Sequence, residues 1–214
     1  EGLDSPNAPD YLSVLVEKSE RLRKLTDDLF EAAKASSGAL PVRSERLDLR
    51  ALVDQALAET AEGFAASQLE VILSPGEETL PANADGTLLW RVLDNLLGNV
   101  RKYALPGSRV YVDMGSGADG LSQVSDFSQP GDDASSPVPY IQLEIKNISA
   151  QPLNIPADEL MERFKRGDES RATEGSGLGL AISRDLAHLM GGHLDVVIDG
   201  DLFKVVLLLP CWRG

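Results

Sequence analysis

The sequence predicts an α+β fold: a two-layer α/β sandwich whose mixed, mostly antiparallel sheet carries helices on one face, preceded by one long N-terminal helix. Three patterns predict it. Val110, Val112 and Met114 alternate with Tyr111 and Asp113, and Ile141, Leu143 and Ile145 alternate with Gln142, Glu144 and Lys146, the period of strands with one buried face. Apolar residues recur every three to four positions across 86–103 and 178–190, the spacing of helices that bury one side. Near the start, Leu15, Leu22 and Leu29 recur at seven, a repeat typical of bundle helices.

Residues 10–36 read as one helix. Leu12, Ser19 and Thr26 form a weaker second row, with Leu25 and Ala33 beside it, and charged residues fill the rest. Such a stripe packs either on the helix's own domain or on a partner helix; the repeat outlasts an ordinary helix, so the partner is expected. Ser36-Ser37-Gly38 stops the helix and Pro41 follows. The chain therefore divides into a helical segment at 1–40 and a globular domain at 41–214. In the second part, 46–49 is a short strand, 49–64 a helix with Leu52, Val53, Ala56, Leu57 and Thr60 on one face, and 69–73 a strand. Residues 115–137, rich in Gly, Ser, Asp and Pro, read as a long, exposed and mobile loop. Pro156 opens a short helix at 157–164. Gly191-Gly192 ends the helix at 178–190, Leu194, Val196 and Ile198 form a strand, Asp199-Gly200 is a hairpin turn, and 202–209 returns as a more fully apolar strand.

Composition excludes several classes. Thirty-four acidic against 20 basic residues leave a net charge of −14, which argues against nucleic acid, whose backbone needs clustered Lys and Arg. Cys211 is the single cysteine, so neither an internal disulfide nor a CxxC metal site is possible. No apolar run approaches the ~18–20 residues that cross a bilayer. The chain opens Glu1-Gly2-Leu3 without Met; it reads as a segment of a longer protein, with any membrane span outside it.

Two segments carry chemistry. Across 88–103, Leu89, Val92, Leu93, Leu96, Leu97 and Val100 form one core stripe, and Arg91, Asp94, Gly98 and Arg101 lie opposite in solvent. Asn95, Asn99 and Lys102 fall on the border, with Tyr103 beside them. A border can line a cleft. Two amide oxygens at i, i+4 suit a hard cation such as Mg²⁺, a Lys one turn on suits phosphate, and a Tyr offers a flat face to a base. The bland alternative is an amphipathic helix with two surface amides. In Glu174-Gly175-Ser176-Gly177-Leu178-Gly179, glycines at alternate positions run into a helix. Glycine lets backbone N–H groups approach phosphate, and the helix N-terminus adds unpaired donors. The spacing is neither the dinucleotide fingerprint nor the P-loop, and the polar stretch 163–173 before it looks like a lid.

Together these segments resemble sensor histidine kinases of the GHKL ATPase superfamily. Asn-Leu-Leu-Gly-Asn-Val-Arg-Lys-Tyr at 95–103 resembles the family's asparagine box, Gly-Ser-Gly-Leu-Gly-Leu-Ala-Ile at 175–182 its second glycine box, and Glu-Arg-Phe-Lys-Arg-Gly-Asp at 162–168 its phenylalanine box. Residues 10–36 then resemble the second helix of the dimerisation and phosphotransfer hairpin. The resemblance implies a protein histidine kinase of two-component signalling that uses ATP and Mg²⁺. It implies that Asn99 holds Mg²⁺ with help from Asn95, that Lys102 and Arg166 contact phosphates, that Tyr103 packs by the adenine, and that Gly175, Gly177, Leu178 and Gly179 cradle the phosphates. It further implies a response regulator as partner, a homodimeric, membrane-anchored bacterial parent, and a cytoplasmic position for this part. Gyrase-like hydrolases of the superfamily carry Glu at the position of Asn95. An amide cannot serve as general base, so Asn95 favours phosphoryl transfer over hydrolysis.

The first glycine box departs from the family pattern. Where an Asp-x-Gly-x-Gly is usual, the strand is followed by Asn147-Ile148-Ser149-Ala150-Gln151. Asn147 keeps a carbonyl acceptor for the adenine amino group, but a neutral one, weaker than a carboxylate. His188 and His193 are the only histidines and flank the Gly-Gly break; both read as structural, so the phosphoacceptor is expected outside this chain. The competing readings are a degenerate, non-catalytic module for dimerisation and regulator docking, and a switch-type or anti-sigma serine kinase.

Overall fold

The computed structural model describes residues 8–116, 139–162 and 177–213. Most of the loop expected at 115–137, the lid at 163–173, and the candidate residues Arg166 and Gly175 lie outside the described residues. The elements are α1 (Ala8–Ser36), β1 (Glu45–Asp48), α2 (Leu49–Ala66), β2 (Glu70–Leu73), β3 (Pro81–Ala84), α3 (Gly86–Tyr103), β4 (Arg109–Ser116), β5 (Tyr140–Ile148), α4 (Ala157–Leu160), α5 (Gly179–Leu189), β6 (His193–Asp199) and β7 (Leu202–Pro210).

Five strands form one sheet in the order β2-β4-β5-β7-β6, in which β2 and β4 are parallel and every other pair is antiparallel. Val110 and Val112 of β4, Ile141, Leu143 and Ile145 of β5, Leu194 and Val196 of β6, and Val205, Leu207 and Leu209 of β7 enter one core with the stripes of α3 and α5. This is the predicted sandwich. β1 and β3 add a two-stranded antiparallel sheet.

Two aspartates fix how the helices leave the strands. Asp48 caps α2 by accepting from the Arg50 N–H, and the same oxygen accepts from the Leu80 N–H at 2.9 Å. Asp85 caps α3 by accepting from Thr87 and Leu88, while its other oxygen accepts from the Arg43 N–H at 2.8 Å. Each carboxylate fills orphan donors of a first helical turn and also pins a distant loop, so the entry angle of α3 is tied to the chain that follows α1.

Five local expectations shift. The helix expected at 157–164 stops at Leu160, with Met161 as its C-cap. β3 has no counterpart among the predicted strands. The hairpin turn is Gly200-Asp201, since Asp199 already pairs with Leu202; Gly200 takes the left-handed conformation at φ +58°. β4 continues to Ser116 and takes the first two residues of the expected loop. β5 runs on through Asn147, which pairs with Val110 and Phe203.

α1 docks by its C-terminal half. Asp28, Ala32 and Ala35 are buried, and the helix packs along α5. The heptad leucines stay outside: Leu15, Leu22 and Leu29 are 61%, 65% and 52% exposed. Ala33, expected near the packing stripe, is also exposed. Arg91, expected in solvent on α3, is half-buried instead, because its guanidinium reaches Asp28 at 2.8 Å and Glu31 at 2.9 Å on α1. These partners raise the Arg91 pKa against the opposing effect of burial.

Candidate functional site

α3 presents its border residues to the start of α5. The core stripe of α3 (Leu89, Val92, Leu93, Leu96, Leu97 and Val100) is buried, while Asn95, Asn99, Lys102 and Tyr103 are half-buried. The Asn95 amide nitrogen donates to the Ser183 hydroxyl at 3.4 Å and to the Gly179 carbonyl at 3.5 Å. A Cβ on Gly179 would stand 3.9 Å from the Asn95 amide and 3.9 Å from Asn99 Nδ2, so the bare glycine faces both asparagines.

The approach to α5 is held by two features. Gly177 has φ +69°, a left-handed turn that a side chain would strain. Leu178 follows with 1% exposure and anchors the turn in the core. α5 then begins with no side-chain cap among the described residues. Among the described residues no side chain takes the part at α5 that Asp85 plays at α3, and first-turn N–H groups of a helix can receive an anion.

The far end of α3 is stitched to the end of β5. Ala150 N–H donates to the Tyr103 carbonyl and Leu105 N–H to the Ile148 carbonyl, both at 2.8 Å, and Ala104 bridges Ser149. The Lys102 ammonium lies 4.9 Å from the centre of the Tyr103 ring, within cation–π reach. Asn147 is 3% exposed and shares strand parity with Ile141, Leu143 and Ile145, so it points to the helix side. Its Nδ2 donates to the Ile148 carbonyl at 3.2 Å, and its Oδ1 is buried with no hydrogen-bond partner among the described residues. An orphaned buried carbonyl costs roughly 1–3 kcal/mol, and a donor arriving with a ligand would relieve that cost.

Lys146, the neighbour of Asn147, points to the other face of the sheet. It pairs with Glu144 at 2.6 Å and Asp113 at 3.0 Å. The Glu144 hydrogen bond, more than any other influence, raises its pKa. Burial pushes Asp113 upward, but hydrogen bonds from Ser74 and Lys146 hold its carboxyl below the ordinary range. This cation is committed to a structural network away from the site. His188 and His193 meet edge-on at 5.6 Å. No cluster of three or more metal-ligating His, Cys, Asp or Glu occurs among the described residues.

Of the residues named from sequence, the structure brings Asn95, Asn99 and Gly179 together where α3 meets α5, with Gly177 and Leu178 leading into that turn, and puts Lys102 and Tyr103 at the end of α3 that is hydrogen-bonded to the end of β5, the strand that carries Asn147. Ser183 was missed. Its signal was a polar residue next to Ile182 on the buried side of a helix, where it is 0% exposed.

A family profile described as histidine kinase-, DNA gyrase B-, and HSP90-like ATPase matches residues 84–211, more than half of the chain. The chain belongs to this ATPase family. The match begins just before the α3 cap and ends after β7, so it contains every candidate residue. Curated relatives are sensor proteins: the probable sensor protein PcoS of Escherichia coli is 28% identical over 204 residues, covering 94% of this chain and 39% of PcoS. The sensor protein kinase WalK of Staphylococcus epidermidis is 25% identical over 214 residues, covering 97% of this chain and 31% of WalK. The chain thus spans about a third of the length of these relatives. Among solved structures, the Acinetobacter baumannii histidine kinase AdeS superposes with a TM-score of 0.68 at 19% identity, covering 94% of this chain and 84% of that one. Full-length ShkA in complex with AMPPNP superposes at 0.72 with 20% identity, covering 98% of this chain and 40% of that one. At these identities the likeness establishes the fold.

Proposed function

We propose that this chain is the ATP-binding catalytic part of a sensor histidine kinase and transfers the γ-phosphoryl group of ATP to a histidine of a dimerisation helix, for relay to a response regulator. The observation that carries the reading is the pair of amides, Asn95 and Asn99, facing the glycine-led start of α5. The residues present fit a Mg²⁺–nucleotide: amide oxygens for the cation, first-turn N–H groups for phosphate, and the orphaned Asn147 Oδ1 for an exocyclic amino group.

In this reading Asn99 and Asn95 hold Mg²⁺, Lys102 and Arg166 meet phosphate, Gly175, Gly177, Leu178 and Gly179 wrap the phosphates, Tyr103 packs beside adenine, and Asn147 accepts from its amino group. The cation, when bound, neutralises charge that develops on the transferring phosphoryl group. The chain's own residues orient the nucleotide and supply donors. None of the asparagines can take a proton from water, so the site favours transfer to a stronger protein nucleophile over hydrolysis. α1, within segment 1–40, supplies part of the dimerisation and phosphotransfer hairpin of a homodimeric parent, membrane-anchored with this part in the cytoplasm; no described helix is itself long and apolar enough to cross a membrane.

A thermal-shift titration tests the binding step. ATP with Mg²⁺ is expected to raise the melting temperature, and Asn99→Ala to abolish most of the rise. Adding an acceptor helix that carries a histidine should then yield acid-labile phosphate; acid-stable phosphate would point to a switch-type serine kinase. A second reading, a non-catalytic docking module, is favoured by the missing glycines after Asn147. It predicts no thermal shift with ATP and no effect of Asn99→Ala.

A further inference from the structure

We infer that Ser183 is a positioning residue for Asn95: together with the Gly179 carbonyl it holds the amide nitrogen against α5, so that Asn95 presents its oxygen to the ligand. Both groups that touch the nitrogen, Ser183 Oγ at 3.4 Å and Gly179 O at 3.5 Å, act as acceptors. A carbonyl can only accept, so a flipped amide would set oxygen against oxygen at Gly179. The orientation follows from this network. Asn95 Oδ1 has no hydrogen-bond partner among the described residues and is not buried, whereas the nitrogen has two acceptors.

The burial of Ser183 gives the same answer. At 0% exposure it sits among Ala181, Ile182, Leu186 and Ala187, all buried. A hydroxyl in such surroundings is unfavourable unless it is hydrogen-bonded, and the hydrogen bond the structure gives it is the one from Asn95. Alanine would satisfy packing there; the hydroxyl is explained by the amide 88 positions earlier. The Gly179 carbonyl, which can only accept, also disfavours a carboxylate at position 95. The inference rests on the nucleotide reading only for which ligand the oxygen meets.

The test compares wild type with Ser183→Ala in the full chain, by two measurements. In nucleotide-free, isotope-labelled protein, the side-chain NH₂ signals of Asn95, assigned through their loss in Asn95→Ala, should move toward free-amide values and exchange faster with water in Ser183→Ala. By titration with a non-hydrolysable ATP analogue, Ser183→Ala should weaken binding about fivefold with Mg²⁺ present, the effect of one lost hydrogen bond, and change it little without Mg²⁺. An unchanged amide signal, or an equal loss with and without Mg²⁺, overturns the inference. If wild type binds no nucleotide, the nucleotide reading fails, and the amide signal alone decides the role of Ser183. Should Ser183→Ala not fold, Ser183→Cys, close in size with a weak acceptor, carries the same comparison.

Discussion

α1 and α3 are both long amphipathic helices, yet they use their stripes in opposite ways. Every apolar residue of the α3 stripe is buried in the sandwich, whereas the heptad leucines of α1 stand more than half exposed. The half of α1 that does dock uses small and charged residues: Ala32 and Ala35 against α5, and Asp28 and Glu31 on the Arg91 guanidinium. Periodicity therefore reports that a face is apolar, not which surface covers it. The two helices meet at Arg91, one turn before Asn95 on the helix that lines the site.

Three substitutions sharpen this contrast. Leu93→Ala empties a fully packed position of α3 and should lower unfolding free energy by about 2–5 kcal/mol in a denaturant titration; a loss below about 1 kcal/mol would mean the stripe is not the core. Arg91→Ala removes the guanidinium from Asp28 and Glu31 and should cost about 1–2 kcal/mol, less than a fully buried pair because Arg91 is partly solvated. Hydrogen exchange should show the loss confined to α1, with protection of α3 retained; equal loosening of both would break the distinction. Leu22→Ser alters an exposed position and should change the stability of the isolated chain by no more than about 0.5 kcal/mol. A larger loss would show that the heptad face packs on the domain after all.

Much of the site was legible because it lies on one helix. The 3.6-residue period put Asn95, Asn99 and Lys102 on the border of α3, and the structure finds them half-buried there. What could not be read was the partner of each border residue. Ser183 lies 88 positions from Asn95, and Asp28 lies 63 from Arg91; local pattern carries no information across such separations. β3 was missed for a related reason. Pro-Ala-Asn-Ala contains no β-branched or aromatic residue, so its propensity for strand is low. It is extended because β1 pairs with it, because Trp212 N–H donates to the Pro81 carbonyl, and because Ala82 and Ala84 fit where larger side chains would not.

Asn147 shows the same division within one residue. Its type, an amide at the end of β5, is a fact of sequence. That its nitrogen is spent on the Ile148 carbonyl while its oxygen is buried with no partner among the described residues follows only from β5 running on between β4 and β7.

The sequence by itself determined most of the elements and the chemistry available: helices and strands from periodicity, and a pair of amides and a glycine-led turn in place of a base. Tertiary structure alone decided which atoms of the Asn95 and Asn147 amides are hydrogen-bonded, which face of α1 docks, and that Arg91 joins α1 to α3. The physical reason is directionality. Hydrophobic burial depends on pattern and is written along the chain, whereas a hydrogen bond or ion pair needs a partner at a set distance and angle, and that partner arrives only when distant segments pack.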